Sequence, residues 1–176
     1  MRIRPADLPD LSACLQLDTS FETDHVWQIE QREEDGVISL HIRPVRLPRT
    51  MRARYPNPGE GLLARWQRGD CVLVADLEGE LLGYVEMSPN PDQLLGWVHH
   101  LTVAKAYRRH GIGTALLEAA TQWAQTRNLT RLVVPVQSKN YPAIRFCLKN
   151  GFTFCGLNDR YYRNGDIALL FARSIR

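Results

Sequence analysis

Six consecutive residues, Arg108 to Gly113, combine two arginines, a histidine and two glycines in the order RRHGIG. An alternating apolar run, GWVHHLTV, precedes them and a helix-like pattern follows, which predicts a strand, a glycine turn and a helix start. Unpaired N–H groups and the dipole at a helix start favour an anion, and glycine lets the backbone approach it closely. We therefore expect a phosphate-bearing ligand, with Arg108, Arg109 and His110 adding positive charge at the rim.

Three kinds of phosphate-binding turn compete for this stretch. A P-loop needs a Gly-Lys pair followed by Ser or Thr, and the chain has none. A Rossmann turn needs a third glycine where Leu116 stands, and an acidic residue at the end of the next strand, TRLVVPV, which is missing. The pattern R-x-x-G-x-G is present as Arg108, Gly111 and Gly113. The residues alone do not decide between a phosphate-binding turn and a helix cap whose glycines only turn the chain.

Composition bounds the class of protein. The chain has 176 residues, 44% of them hydrophobic and 23% charged, which suits one domain with a sizeable core. No apolar run is long enough for a membrane helix, and the start MRIRPADLPDL lacks the apolar centre of a signal peptide. We therefore expect a cytoplasmic protein with no membrane partner. A net charge of +3 is too small to indicate nucleic acid, and the four cysteines lack metal-ligand spacing, so we expect free thiols and no metal.

Apolar periodicity predicts a series of elements with no internal repeat or long linker, and hence a single domain over residues 1–176. The predicted helices span residues 6–18, 21–32, 60–68, 111–127 and 141–149. The predicted strands span residues 1–5, 36–45, 71–76, 81–87, 94–103, 130–136, 151–157 and 166–172. Residues 47–59 hold three prolines and several arginines and predict a mobile connection.

From about Cys71 to Phe152 the chain resembles the GNAT family of N-acetyltransferases. The matching pieces are LTVAKAYRRHGIGTALL and, after the next strand, NYPAIRFCLKNGF, and the opening MRIRPADLPDL is similar to the family's first strand and helix. The motif-bearing core is about residues 71–157. The resemblance implies an α/β fold: a mixed, mostly antiparallel twisted sheet with helices on both faces. It also implies parallel pairing only near splayed central strands at Leu101 and Val133.

The resemblance further implies that the anionic ligand is the pyrophosphate of acetyl-CoA. Backbone groups of Leu101 and Val103 would bind the pantetheine arm, and the amides of residues 109–114 would hold the pyrophosphate. These amides include those of Gly111, Gly113 and Thr114. Asn140 would contact the cofactor from the splayed neighbouring strand.

An acceptor amine is mostly protonated in water and must lose a proton before it attacks a thioester, which calls for a general base. Many family members carry Glu at the position of Trp97. His99 is predicted to share the strand face of Trp97 and Leu101, and serotonin N-acetyltransferases are similar in carrying His there. We expect His99 to be the base or a proton relay. The alternative is a packed and hydrogen-bonded histidine with a structural role only. His100 is expected on the opposite face, and Glu86 is the second candidate base, against a solvated strand residue.

Cys147 stands where many relatives carry a tyrosine that protonates the leaving thiolate. A thiol could take that role because its ordinary pKa is near ~8.5, but a small buried hydrophobic residue is the favoured interpretation of Cys147. Hydroxyls of Tyr141, Tyr161 or Tyr162 are alternatives for the acid.

The acceptor is expected to be an amine of a small molecule or a peptide, attacking acetyl-CoA directly. An acidic, aromatic-containing stretch would suit a cation, or would merely be solvated: His25, Trp27, Glu30, Glu33, Glu34 and Asp35. The spacing of FETDHVWQIEQ, the proline-arginine segment and the ending DIALLF resemble streptothricin acetyltransferases. Many family members dimerise, so the resemblance also implies a homodimer. Two rival interpretations remain. The first is a sensor or regulatory module that binds coenzyme A without catalysis, and the second is a nucleotide-binding Rossmann domain.

Overall fold

The computed structural model describes residues 1–56 and 59–176. The elements in chain order are β1 Arg2–Pro5, α1 Leu8–Gln16, β2 Ser20–Glu34, β3 Val37–Arg54, α2 Leu62–Gln67, β4 Cys71–Leu77, β5 Glu80–Asn90, β6 Leu95–Val103, α3 Ile112–Gln125, β7 Arg131–Gln137, α4 Tyr141–Lys149, β8 Thr153–Asn158 and β9 Ala168–Ser174. A short 3₁₀ turn, Lys105–Tyr107, lies between β6 and α3.

Seven strands form the main sheet, in the order β1-β4-β5-β6-β7-β9-β8. Among the described strands, β6 and β7 form its one parallel pair, and all the other pairs are antiparallel. The mixed, mostly antiparallel sheet is therefore confirmed, and a Rossmann domain, whose sheet is mostly parallel, is excluded.

The parallel pairing is confined to the beginning of β6 and β7. Leu95, Gly96 and Trp97 of β6 pair with residues 131–133 of β7, and no pair follows Trp97. The expected parallel pairing between the strands of Leu101 and Val133 is confirmed, and the two strands separate after Trp97, four residues before Leu101. The gap between them opens toward the glycine turn.

Helices cover both faces of the sheet, as expected. The larger core lies under α3 and α4, where α3 buries a stripe at helical spacing that includes Ile112, Leu116, Ala120 and Ala124. The smaller core lies under α1 and α2 on the other face and includes Leu11 and Leu62. The two buried faces hold the sheet rigid beneath the glycine turn.

The predicted helix over residues 21–32 is wrong, because these residues belong to β2, which pairs with β3 in a separate two-stranded sheet. The tip of this hairpin is Asp35-Gly36, with φ of 52° and 77°. An Asp-Gly pair with positive φ at both positions is the favoured two-residue hairpin turn. That local signal, together with the partner strand, outweighs a weak helical pattern.

The predicted mobile connection over residues 47–59 is also wrong as far as Arg54, where β3 ends. Prolines are tolerated there because a two-stranded sheet consists only of edge strands. Residues 57 and 58 lie outside the described part of the chain.

The β2–β3 hairpin packs against the larger core beside the end of β7. Trp27, Ile29 and Ile42 pack against the larger core. The Trp27 backbone N–H donates to the carbonyl of Ser138, at 2.8 Å. The hairpin is thereby placed next to the gap between β6 and β7.

Candidate active site

The glycine turn leaves several backbone donors without a partner inside the helix. Arg109 and Gly111 both have left-handed backbone, with φ of 68° and 82°. The helical bond to Gly111 comes from Ala115, at 3.0 Å, so the N–H groups of residues 112–114 precede the bonded ladder. A Cβ added at Gly111 would meet nothing within 4 Å. The turn therefore presents unpaired donors to open space, which fits a pyrophosphate.

Gly113 has a different reason to be glycine. A Cβ there would lie 3.3 Å from the Phe146 ring and 3.4 Å from a Leu101 methyl group. The missing side chain therefore lets the first turn of α3 pack closely against α4 and β6. This contact sets where the donors of the turn lie relative to the gap between the strands.

The Arg108 side chain is engaged with protein and not turned to a ligand. Its guanidinium donates to the carbonyls of Val103 at 2.9 Å, Ser20 at 2.6 Å and Asp18. It thus ties the glycine turn to the start of β2, so it can contribute to ligand binding by shaping the turn. Arg109, His110 and Thr114 are exposed at the turn.

Asn140 caps α4 at the far side of the gap. Its side-chain oxygen accepts a hydrogen bond from the Ala143 backbone N–H at 3.1 Å. The expected contact of Asn140 with a cofactor stays a prediction, and the capping bond explains independently why an asparagine stands there.

Replacing Gly111 by alanine should weaken acetyl-CoA binding at least about tenfold, or about 1.4 kcal/mol, because its Cβ would enter the open space at the turn. The left-handed backbone should also cost about 1–2 kcal/mol of stability. Gly79, in the β4–β5 turn, supplies a matched control because its φ is 90° and its added Cβ also meets nothing within 4 Å. Gly79→Ala should lose similar stability in urea unfolding but keep the calorimetric Kd. Equal Kd values in both variants would contradict a ligand site at Gly111.

A β-bulge reorients the middle of β6. Glu86 pairs with His100, while its neighbour Met87 pairs with Val98, so His99 is an extra residue on β6. Because the bulge resets the alternation, Trp97, His99 and His100 share one face of the sheet, and Leu101 faces the larger core. The expectations that His99 shares a face with Leu101 and that His100 points away are therefore wrong.

Both histidines open onto one cavity of about 360 Å³. Its walls come from the end of β3, the turn before α2, α2 itself, β6 and the loop between β8 and β9. The lining residues are Tyr55, Glu60, Gly61, Arg65, His99, His100 and Tyr161. The Tyr55 hydroxyl donates to the carbonyl of His99 at 3.3 Å, which holds the bulge toward the cavity.

An ion pair joins the turn before α2 to the loop between β8 and β9 at the edge of the cavity. The guanidinium of Arg163 pairs with the Glu60 carboxylate, and Arg65 donates to the Glu60 carbonyl. Glu60 and Arg65 lie on a predicted helix and Arg163 in a segment with no predicted element, and long-range contacts bring them together. Sequence reasoning therefore missed Tyr55, Glu60 and Arg65 as part of the candidate site.

The cavity histidines are neutral at pH 7. Burial, with a smaller contribution from Arg65, lowers the pKa of His99 to about 4 and that of His100 to about 3. Each neutral imidazole has one nitrogen with a free electron pair, so each has the group needed to accept a proton. His99 is the one joined to further polar groups, through a 2.9 Å contact of its Nε2 with the Ser88 hydroxyl.

Glu86 is buried behind the cavity wall, so it is not a solvated strand residue. It forms an ion pair with Arg65, and its other oxygen lies 3.8 Å from Nε2 of His100. Burial raises the pKa of the Glu86 carboxyl, and Arg65 opposes the rise. A carboxylate already paired with arginine and covered by protein is poorly placed to take a proton from a ligand in the cavity.

Cys147 lies on the buried face of α4, in the larger core, and is 3% exposed. Burial raises the pKa of its thiol to about 12. Of the tyrosines considered as alternatives, Tyr161 lines the cavity, Tyr162 is buried beside Tyr55, and Tyr141 stacks on His25 with ring centres 4.9 Å apart. The acidic stretch considered for the acceptor lies on the hairpin, with Glu30, Glu33 and Glu34 exposed.

A family model described as the acetyltransferase (GNAT) family matches residues 23–152. The chain belongs to the GNAT family. Streptothricin acetyltransferase of Streptomyces lavendulae is 27% identical over 165 residues, which cover 91% of this chain and 85% of that one. An uncharacterised N-acetyltransferase of Methanocaldococcus jannaschii is 32% identical over 122 residues, covering 68% of this chain and 77% of that one.

Solved structures of GNAT proteins match the whole chain. A nourseothricin acetyltransferase superposes with a TM-score of 0.85 and 28% identity, covering 99% of this chain and 98% of that one. A Bacillus anthracis protein solved in complex with acetyl coenzyme A gives a TM-score of 0.80 over 98% of this chain, at 21% identity. The second match shows the fold alone.

Family membership confirms the expected activity. The chain is a GNAT acetyltransferase that moves an acetyl group from acetyl-CoA to an amine. The interpretation as a silent coenzyme A-binding module is not favoured. In the part of the chain that the structure describes, no three or more His, Cys, Asp or Glu residues form a group able to hold a metal ion. The helices found there are all too short or too polar to cross a membrane.

Proposed function

We propose that this GNAT protein acetylates an amine of a streptothricin-like small molecule, which binds in the cavity at His99. The observation that carries the proposal is the superposition on nourseothricin acetyltransferase over 99% of the chain at 28% identity. That coverage includes the β2–β3 hairpin and the segments around the cavity, which are the parts outside the motif-bearing core. The 27% identity to the Streptomyces lavendulae enzyme over 91% of the chain supports the same acceptor class.

Acetyl-CoA occupies the gap between β6 and β7 in this proposal. Backbone groups of Leu101 and Val103 hold the pantetheine arm, and the amides of residues 109–114 hold the pyrophosphate. Arg109 and His110 add charge at the rim, Arg108 keeps the turn in shape, and Asn140 lines the far wall. The separation of the strands after Trp97 supports this placement, because it frees backbone groups on both strand edges.

His99 serves first as base and then as acid. The amine enters neutral, its nitrogen forms a bond to the acetyl carbon, and His99 takes the proton that the nitrogen sheds. The carbon–sulfur bond then breaks, and the imidazolium passes the same proton to the departing thiolate. Because burial holds the pKa of His99 near 4, its imidazolium is a stronger acid than a thiol with a pKa near ~8.5, so this last transfer runs downhill.

Cys147 has a packing role in this account. Replacing Cys147 by alanine should change kcat less than about threefold, whereas loss of a general acid typically costs about 10²–10⁴-fold. The reason is the thiol's burial in the core and its pKa of about 12, which make it a weaker acid than the thiol it would have to form. Steady-state kinetics, with circular dichroism to confirm folding, would check this. A hundredfold loss of kcat in a folded Cys147→Ala variant would restore the acid role.

Free-thiol release from acetyl-CoA, measured with a panel of amines, tests the proposed function. The panel contains streptothricin, aminoglycosides, spermidine, lysine and short peptides with free amino termini. We expect streptothricin to give the highest kcat/KM and mass spectrometry to show a single added acetyl group. Peptides are included because an N-alpha-acetyltransferase of Sulfolobus acidocaldarius is 32% identical over 115 residues. A higher kcat/KM for peptides than for streptothricin would overturn the proposed acceptor class.

A further inference from the structure

Two polar residues behind His99 form a hydrogen-bonded chain with it. Nε2 of His99 lies 2.9 Å from the hydroxyl oxygen of Ser88, on the neighbouring strand β5. The Ser88 hydroxyl lies 2.6 Å from Oδ2 of Asp70, in the turn between α2 and β4. Asp70 is mostly covered and is paired with Arg68 at 2.8 Å. The chain therefore runs from the cavity wall to an ion pair just before the start of β4.

The direction of these hydrogen bonds follows from the chemistry of the groups. A carboxylate can only accept, so the single hydroxyl hydrogen of Ser88 is donated to Asp70. The Ser88 oxygen then has only electron pairs left for His99, so Nε2 of His99 must carry a hydrogen and donate it. A neutral imidazole has one N–H, and Nδ1 of His99 is therefore left with the free electron pair.

We infer that Ser88 and Asp70 are positioning residues, which hold His99 as its Nε2–H tautomer and make Nδ1 the atom that accepts the amine proton. The inference rests on the proposed function in one respect, that His99 is the base. The chain also supports the proton transfer itself, since the Nε2–H of the imidazolium keeps its bond to Ser88 while the new proton sits on Nδ1. No second proton moves along the chain.

Other charged or titratable groups surround His99 without competing for Nε2. Arg65 from α2, His100 from β6, Tyr55 and Tyr161 line the same cavity, and Glu86 lies behind Arg65 and His100. Burial, Arg65 and Arg68 lower the pKa of His99, and Asp70 raises it. Asp70 is thus the carboxylate that favours the protonated form of His99.

The tautomer can be read directly by nitrogen-15 NMR of the histidine side chains, assigned by comparison with His99→Gln. We expect the wild-type protein at pH 7 to show His99 protonated at Nε2. Asp70→Asn should reverse the chain, because the asparagine amide can donate to Ser88 and free the serine hydroxyl to donate to Nε2. In that variant we expect the Nδ1–H tautomer and at least a hundredfold loss of kcat, with KM for acetyl-CoA unchanged.

Three further variants separate positioning from general damage. Asp92→Asn makes the same exchange at an exposed aspartate in the turn between β5 and β6, away from the chain, so both the tautomer and kcat should stay as in the wild type. Ser88→Thr keeps the hydroxyl and should retain the Nε2–H tautomer, whereas Ser88→Ala should give a mixture of tautomers and a lower kcat.

An Nδ1–H tautomer in the wild-type protein would overturn the inference, and so would an Asp70→Asn variant that keeps both tautomer and kcat. The NMR signal does not depend on turnover, so the two proposals can fail separately. An active His99→Ala variant beside an Nε2–H wild type would refute the base assignment alone. An inactive His99→Ala variant beside an Nδ1–H wild type would refute the positioning chain alone.

Discussion

Replacing His99 by alanine should lower kcat by about 10²–10⁴-fold, the usual contribution of a general base, and leave KM for acetyl-CoA near its wild-type value. The proposed acetyl-CoA contacts lie in the gap and at the glycine turn, whereas the His99 side chain lines the acceptor cavity. Because burial lowers the pKa of His99 to about 4, the base is lost only when the pH falls through about 4. The acidic limb of kcat/KM, after correction for ionisation of the acceptor, should therefore lie near pH 4 and not near 6.5.

A matched control for this variant is His41→Ala. His41 is an exposed histidine on β3, paired with Glu30 across the hairpin. Its removal should leave kcat and the pH profile unchanged. A folded His99→Ala variant with kcat within about threefold of the wild type would contradict the assignment of His99 as base.

Arg65→Met should destabilise the protein by about 3–5 kcal/mol, the cost of leaving a buried charge without its partner. Glu86 is 0% exposed, and Arg65 supplies the guanidinium that pairs with it. Urea unfolding at pH 7 would measure the loss. The methionine keeps the unbranched stem that packs along α2, so the loss reports mainly on the missing charge.

The stability of Arg65→Met should fall as the pH rises. Burial already raises the pKa of Glu86, and loss of Arg65 removes the group that opposes the rise. The folded protein then holds a proton that the unfolded chain has released, so stability falls as the pH rises from the unfolded pKa through the folded one. Lowering the pH toward 4.5 should restore stability to this variant relative to the wild type.

The double variant Arg65→Met with Glu86→Gln tests the same pair without a buried charge. It should recover most of the stability lost in Arg65→Met, because glutamine needs no counter-charge. A loss below about 1 kcal/mol in Arg65→Met, or no recovery in the double variant, would contradict a strongly coupled buried pair.

Local patterns predicted the part of the fold that local physics determines. The apolar stripe of α3, the glycine turn and the β4–β5 hairpin depend on residues close in sequence, and all of them lie where expected. The β2–β3 hairpin was misjudged because residues 21–32 were assigned to a helix on a weak pattern, although their partner strand begins directly after Asp35-Gly36. The Asp-Gly turn could have indicated the hairpin, since it is a strong short-range signal.

The sequence indicated only some residues of the candidate site and not its geometry. His99 could be proposed as a base from its type, its place on a strand and the family resemblance, yet the bulge that brings His99 and His100 to one face follows from the β5–β6 register. Likewise, Arg108 was expected at a ligand because its carbonyl acceptors at Asp18 and Ser20 lie about ninety residues away. Contacts of that separation are not visible in a single sequence.

We propose that the acetyl group passes directly between two bound substrates. The buried thiols of Cys14, Cys71 and Cys147 have pKa values raised to about 12, and Cys155 lies on β8, outside the cavity lining. None of them is suited to carry an acetyl group on the enzyme. Initial rates measured while both acetyl-CoA and the amine are varied should give intersecting double-reciprocal lines. Parallel lines, the pattern of a covalent acetyl-enzyme, would contradict direct attack by the amine.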